Sequence, residues 1–92
     1  MTPNRTPPRG AVLGLGMIGR HHARLLASMP GVRFAGAVDP AGDVHGAVRD
    51  PALVFASLEQ LLATGTPDFA VVAVPTDEHL AAVRTLDRKS VV

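Results

Sequence analysis

Gly14-Leu15-Gly16-Met17-Ile18-Gly19 stands where the hydrophobic pattern of the chain changes period, and no other feature constrains the fold as much. Ahead of it, Ala11-Val12-Leu13 is an unbroken apolar run of the kind that forms a buried strand. Behind it, Ile18, His22, Leu25 and Met29 recur at helical spacing, which predicts a helix over 17–29 with that stripe buried and Pro30-Gly31 ending it. A Gly-x-Gly-x-x-Gly at a strand–helix joint gives each glycine its own task. Gly14 permits the tight turn, Gly16 lets a pyrophosphate approach the backbone, and Gly19 lets the helix pack closely on the sheet. The first helical turn at Met17 and Ile18 then offers free N–H groups and partial positive charge to phosphates. Asp39 lies twenty residues past Gly19 and closes the next apolar run, 32–38. A carboxylate there accepts hydrogen bonds from an adenosine ribose. It would also repel a 2′-phosphate, and Pro40 beside it brings no cation, so the pattern favours NAD and disfavours NADP.

The same alternation continues along the chain. Residues 40–50 are polar and glycine-containing and read as a loop, and residues 53–55 form a short third strand candidate. Ser57 with Gln60 three residues on is a capping-box spacing. It opens a helix whose buried stripe is Leu58, Leu61 and Leu62 and which Gly65 ends. Residues 69–74 are continuously apolar, as suits an interior parallel strand buried on both faces. Pro75 ends that run, Thr76 can cap a last helix, and Asp77 and Glu78 in its first turn complement the helix dipole. His79, Val83 and Leu86 line one face of it. Strands alternating with helices imply an α/β fold: a parallel sheet built from βαβ units, with right-handed crossovers and helices on both faces. Lys89-Ser90-Val91-Val92 reads as the start of a further strand, so the expectation is a truncated architecture. Residues 1–9 read as a disordered leader and 10–92 as an incomplete dinucleotide-binding domain.

Charge and composition narrow the function by exclusion. The net charge is +1, but two arginines fall in the acid-free leader, leaving seven Lys/Arg against eight Asp/Glu in the rest. That balance carries no electrostatic footprint for nucleic acid. Three phenylalanines and no Trp or Tyr supply no stacking platform for single strands. There is no cysteine, hence no disulfide, thiolate metal site or cysteine nucleophile. No apolar stretch approaches the ~20 residues that span a bilayer. A cytoplasmic protein without a membrane partner is the expectation.

Three segments resemble the glucose–fructose oxidoreductase/inositol dehydrogenase (Gfo/Idh/MocA) family in its N-terminal, Rossmann-type domain. They are Gly14-Leu-Gly-Met-Ile-Gly-Arg-His-His-Ala23, Val38-Asp39-Pro40, and Val71-Val-Ala-Val-Pro75-Thr-Asp-Glu-His79. The similarity spans residues 10–92. It implies NAD(P)-dependent hydride transfer at a carbinol carbon of a sugar, nucleotide sugar or cyclitol. It also implies that Ala73, Val74, Pro75 and Thr76 run along the cofactor, with His79 supporting that turn. Two departures stand out. Val74 replaces a threonine often found before this proline, which removes a side-chain hydroxyl. The Glu-Lys-Pro that carries a catalytic lysine does not occur in the chain, so no residue here is assigned to proton transfer and a substrate would require a second domain.

The remaining polar residues have plain structural explanations. His21 and His22 are adjacent and point apart, whereas ligands on one helix face are better spaced at i, i+4. His22 reads as a packing or capping residue, His45 and Arg20 as solvated, and no metal site is expected. A non-catalytic nucleotide-binding module, or a truncated gene product, is the alternative reading. A methyltransferase-type domain ranks below it, because its glycine turn lacks the third-glycine packing. An open outer edge at residues 69–74 would further expose the chain to self-association.

Overall fold

The protein is seen as a computed structural model that describes residues 7–74 and 76–88, with side chains for 7–74 and 81–87. Its elements run β1 (Arg9–Leu13), α1 (Met17–Ser28), β2 (Arg33–Val38), a 3₁₀ turn (Pro51–Leu53), β3 (Val54–Phe55), α2 (Leu58–Ala63), β4 (Phe69–Val72) and α3 (Thr76–Arg88). Among the described residues the sheet order is β3-β2-β1-β4, and every pairing is parallel. This is the Rossmann-like α/β arrangement that the alternation of patterns predicts. The strand expected over 89–92 and most of the leader lie outside the described residues, while Arg9 already pairs with Arg33.

Alternation along β1 assigns the two faces of the sheet. Val12 joins Ala37, Ala23 and Leu26 in the core beneath α1. Ala11 and Leu13 point the other way, toward Leu61 of α2 and Leu86 of α3 respectively. In β2 this alternation is interrupted. The register slips so that Gly10 pairs with Phe34 but Ala11 with Gly36, leaving Ala35 as an extra residue. Ala35 and Val38 consequently share the α2 side although they are three apart, while Ala37 faces α1. A bulge is what changes such parity. Gly36 makes it feasible: its φ is +141°, and a Cβ there would lie 2.7 Å from the Phe55 ring and 2.9 Å from the Leu53 carbonyl oxygen. The bulge thus decides which way the end of β2, and so Asp39, is presented.

Two expectations about burial need correction. The α1 stripe Ile18, His22, Leu25 and Met29 does not form the buried face; Gly19, Ala23 and Leu26 do. Ile18 is 66% exposed, and Leu25 and Met29 are 44% exposed. The helix approaches the sheet so closely at Gly19 that only small side chains fit in its first two turns. The face is therefore set by size and not by hydrophobicity. The run 69–74 is covered on both faces but only partly buried: Phe69 and Val71 pack on the α1 side and Ala70 and Val72 on the other, while β4 spans only Phe69–Val72 and stands last in the sheet order among the described residues.

Local signals fare better. The Ser57 side chain caps α2 by accepting from the Gln60 N–H at 3.3 Å. The Gln60 side chain returns to the Ala56 N–H, one residue beyond the Ser57 N–H of the usual box. The polar stretch after Asp39 folds around Asp43, whose carboxylate accepts from the Ala47 and Val48 N–H groups at 2.8 and 2.7 Å. Those bonds tuck Ala47 and Val48 into the core. No helix among the described residues is long and apolar enough to cross a membrane.

Candidate functional site

Parallel strands deliver their C-terminal ends to one edge of the sheet, and ligands of such folds bind in the crevice outside that edge. Here the glycine loop follows β1, Asp39 follows β2, Ser57 follows β3, and Ala73-Val74 follow β4. They converge on a cavity of about 920 Å³. The ladder is extended past the strand ends to fix its floor. The Gly14 N–H donates to the Val38 carbonyl at 2.7 Å, and the Ala73 N–H to the Leu13 carbonyl at 2.8 Å.

The three motif glycines differ in what surrounds them. Gly14 has φ +97°, and a Cβ on it would meet the Ala73 carbonyl oxygen at 2.8 Å. Gly19 is buried beneath the loop, where a Cβ would be driven into the Gly14 carbonyl. Gly16 is the opposite case. It is exposed, and a Cβ there would find no atom within 4 Å. It is also the N-cap of α1, with no side chain capping the helix and no acid in the first turn. With Gly16 on the cavity lining, the end of α1 that carries unpaired N–H groups and partial positive charge lies beside the cavity.

Asp39 lines the cavity and is half-buried. One carboxylate oxygen accepts from the Leu15 N–H at 2.9 Å and the other from the Ala41 N–H at 2.9 Å. Of the residues singled out in the sequence, the structure brings Gly14, Gly16, Asp39, Ala73 and Val74 together on this cavity. Gly19 supports it from below. Met17 (78% exposed) and Ile18 turn their side chains to the surface and are not among the residues that line the cavity. Thr76 and His79 belong to α3 by backbone, and their side chains, like all of Pro75, lie outside the described residues.

Sequence reasoning overlooked the far walls. The N-terminal end of α2 contributes Ser57, Leu58 and Glu59, and α3 contributes Ala81, Ala82 and Thr85. The topology contained that signal, since every helix that follows a strand begins at the same edge of a parallel sheet. Asp39 and Glu59 are the charged residues of the lining, and no Lys or Arg appears in it among the described residues. His21 and His22 have ring centroids 6.1 Å apart in an edge-on arrangement. No group of three His, Asp or Glu able to hold a metal occurs among the described residues.

Comparison with known proteins gives this geometry a context. The model of an oxidoreductase family with an NAD-binding Rossmann fold, GFO_IDH_MocA, matches residues 9–91. Among solved structures, scyllo-inositol dehydrogenase from Lactobacillus casei, with bound NAD(H) and scyllo-inositol, superposes with a TM-score of 0.74 at 18% identity, over 90% of this chain and 26% of its own. UDP-N-acetylglucosamine 3-dehydrogenase GnnA from Acidithiobacillus ferrooxidans gives 0.67 at 26% identity, over 95% of this chain and 28% of its own. Myo-inositol 2-dehydrogenase from Lactobacillus plantarum gives 0.57 at 23% identity, over 77% and 22% respectively. The chain therefore spans only about a quarter of the length of these structures. No curated relative matches it.

Proposed function

Because this chain belongs to the Gfo/Idh/MocA oxidoreductase family and corresponds to its NAD-binding Rossmann domain, we propose that the cavity at the strand ends holds NAD and that Gly14, Gly16, Gly19, Asp39, Ala73 and Val74 form its seat. The observation that carries this reading is the empty space beside Gly16, at an uncapped helix end, between two neighbouring glycines that are fully packed. A pyrophosphate needs such an opening, and backbone N–H groups at the start of α1 would donate to it. By the family resemblance, Pro75, Thr76 and His79 would also belong to the cofactor site.

Asp39 would receive the adenosine ribose hydroxyls on the lone pairs left free by its backbone bonds. The lining favours NAD over NADP more strongly than Asp39 alone, since Glu59 adds a second negative charge. Each unit charge on a 2′-phosphate about 5 Å from a carboxylate meets roughly 1 kcal/mol of repulsion even in a water-like medium. NAD, when bound, supplies a two-electron hydride carrier. The residues of this chain bind and orient it. By analogy with the inositol and UDP-sugar dehydrogenases it resembles, the partner substrate would be a hydroxyl carbon of a cyclitol, sugar or nucleotide sugar.

Calorimetric titration tests this directly. NAD is expected to bind at least about tenfold more tightly than NADP, and Asp39→Ala to weaken NAD by about tenfold or more while narrowing the gap. Equal affinities for the two cofactors, or NAD binding indifferent to Asp39, would refute the proposed seat.

A further inference from the structure

Asp39 is hydrogen-bonded at the cavity rim through both its backbone and its side chain. Its N–H donates to the Phe55 carbonyl and its carbonyl accepts from the Gly42 N–H, both at 2.9 Å. Its two carboxylate oxygens separately hold the Leu15 and Ala41 N–H groups. Leu15 is the middle residue of Gly14-Leu15-Gly16, and its side chain is buried at 3% exposure in the core under α1. The glycine loop is thus pinned at Leu15 from both sides, by apolar packing below and by a charge-assisted hydrogen bond above. Glycine on either side of Leu15 supplies no side chain to hold the loop. Unpinned, such a segment has more backbone freedom than any other composition allows.

We propose that Asp39 is a positioning residue for the phosphate cradle as well as a ribose acceptor: its carboxylate fixes the glycine loop through the Leu15 N–H, so that one side chain sets both halves of the adenosine-diphosphate site. This rests on the reading of the cavity as a dinucleotide seat. It adds that Asp39 acts on phosphates it does not touch. The sign of that action opposes simple electrostatics. A carboxylate near an anion site lowers anion affinity, so its removal should help a phosphate bind. If the clamp dominates, its removal disorders the cradle and anion affinity falls.

Inorganic pyrophosphate, which has no ribose, separates the two roles. The experiment follows amide exchange in the ligand-free protein and then pyrophosphate binding by amide shifts, for the parent and for Asp39→Ala and Asp39→Asn. In Asp39→Ala the Leu15 amide is expected to exchange at least about tenfold faster relative to the Gly14 amide, which Val38 holds independently. Pyrophosphate affinity is expected to drop severalfold. Asp39→Asn keeps the shape and one acceptor oxygen, so it guards against a folding defect; it should free Leu15 or Ala41 but not both. Unchanged Leu15 exchange would overturn the clamp. Faster exchange with pyrophosphate affinity unchanged or raised would reduce Asp39 to a local staple and overturn its positioning role. Failure of the parent itself to bind both pyrophosphate and NAD would instead remove the dinucleotide seat, and with it the cradle, while the ligand-free exchange rates still report on the clamp.

Discussion

Gly16→Ala is expected to keep the fold and to weaken NAD binding. The backbone at Gly16, with φ −69° and ψ −163°, is one that alanine adopts without strain. Beyond its chain neighbours the added methyl meets no protein atom within 4 Å, so nothing must move to accommodate it. Thermal stability should stay within about 0.5 kcal/mol of the parent, or rise slightly as the unfolded chain loses freedom. The same methyl would stand where a phosphate must approach the α1 N–H groups. Overpacking of a close contact costs about 2 kcal/mol, which is roughly a thirtyfold loss of NAD affinity. Calorimetry beside a melting curve reads both quantities. Unaltered NAD affinity with an intact fold would mean that the phosphates lie elsewhere.

Gly19→Ala does the reverse, acting on the fold. A Cβ at this position would come into the Gly14 carbonyl group and lie 3.3 Å from the Ala73 Cβ. The obstacle is backbone on a turn that is itself held by the Gly14–Val38 hydrogen bond, so relief requires α1 to lift from the sheet. That movement would uncover Ala23 and Leu26, which pack on Val12 and Ala37. A loss of about 3 kcal/mol or more is expected, far above the ~1 kcal/mol that alanine contributes to helix propensity. A chemical denaturation midpoint equal to the parent's would show that the helix does not rest on the loop as described. Taken together, the two substitutions divide one motif into a residue that serves the ligand and a residue that serves the packing.

The legible parts of this molecule are those governed by neighbours in sequence. The change from an apolar run to a helical period at Gly14, the cap at Ser57 and the acid at the end of β2 all depend on a few adjacent residues. The α1 face is not legible from hydrophobicity, because Ile18, Leu25 and Met29 are apolar whereas the contact with the sheet selects for absence of bulk at Gly19 and Ala23. The bulge at Gly36 was hidden for a similar reason. A glycine in an apolar run signals close approach only once Phe55 and Leu53 are known to lie over it. The cavity walls at Glu59 and Thr85 come from elements far apart in the chain and brought together by the sheet order. The bond from Asp39 to Leu15 spans 24 residues and leaves no trace in local spacing.

The proposed seat at Gly16 and Asp39 is read out by titrating the parent protein with NAD and following its amide chemical shifts. Saturable shifts should cluster on Leu15, Gly16, Met17, Ile18 and Ala41, with little change at Arg9 and Arg33 on the opposite edge of the sheet. Absence of shifts at the glycine loop, or a response centred on that opposite edge, would contradict it.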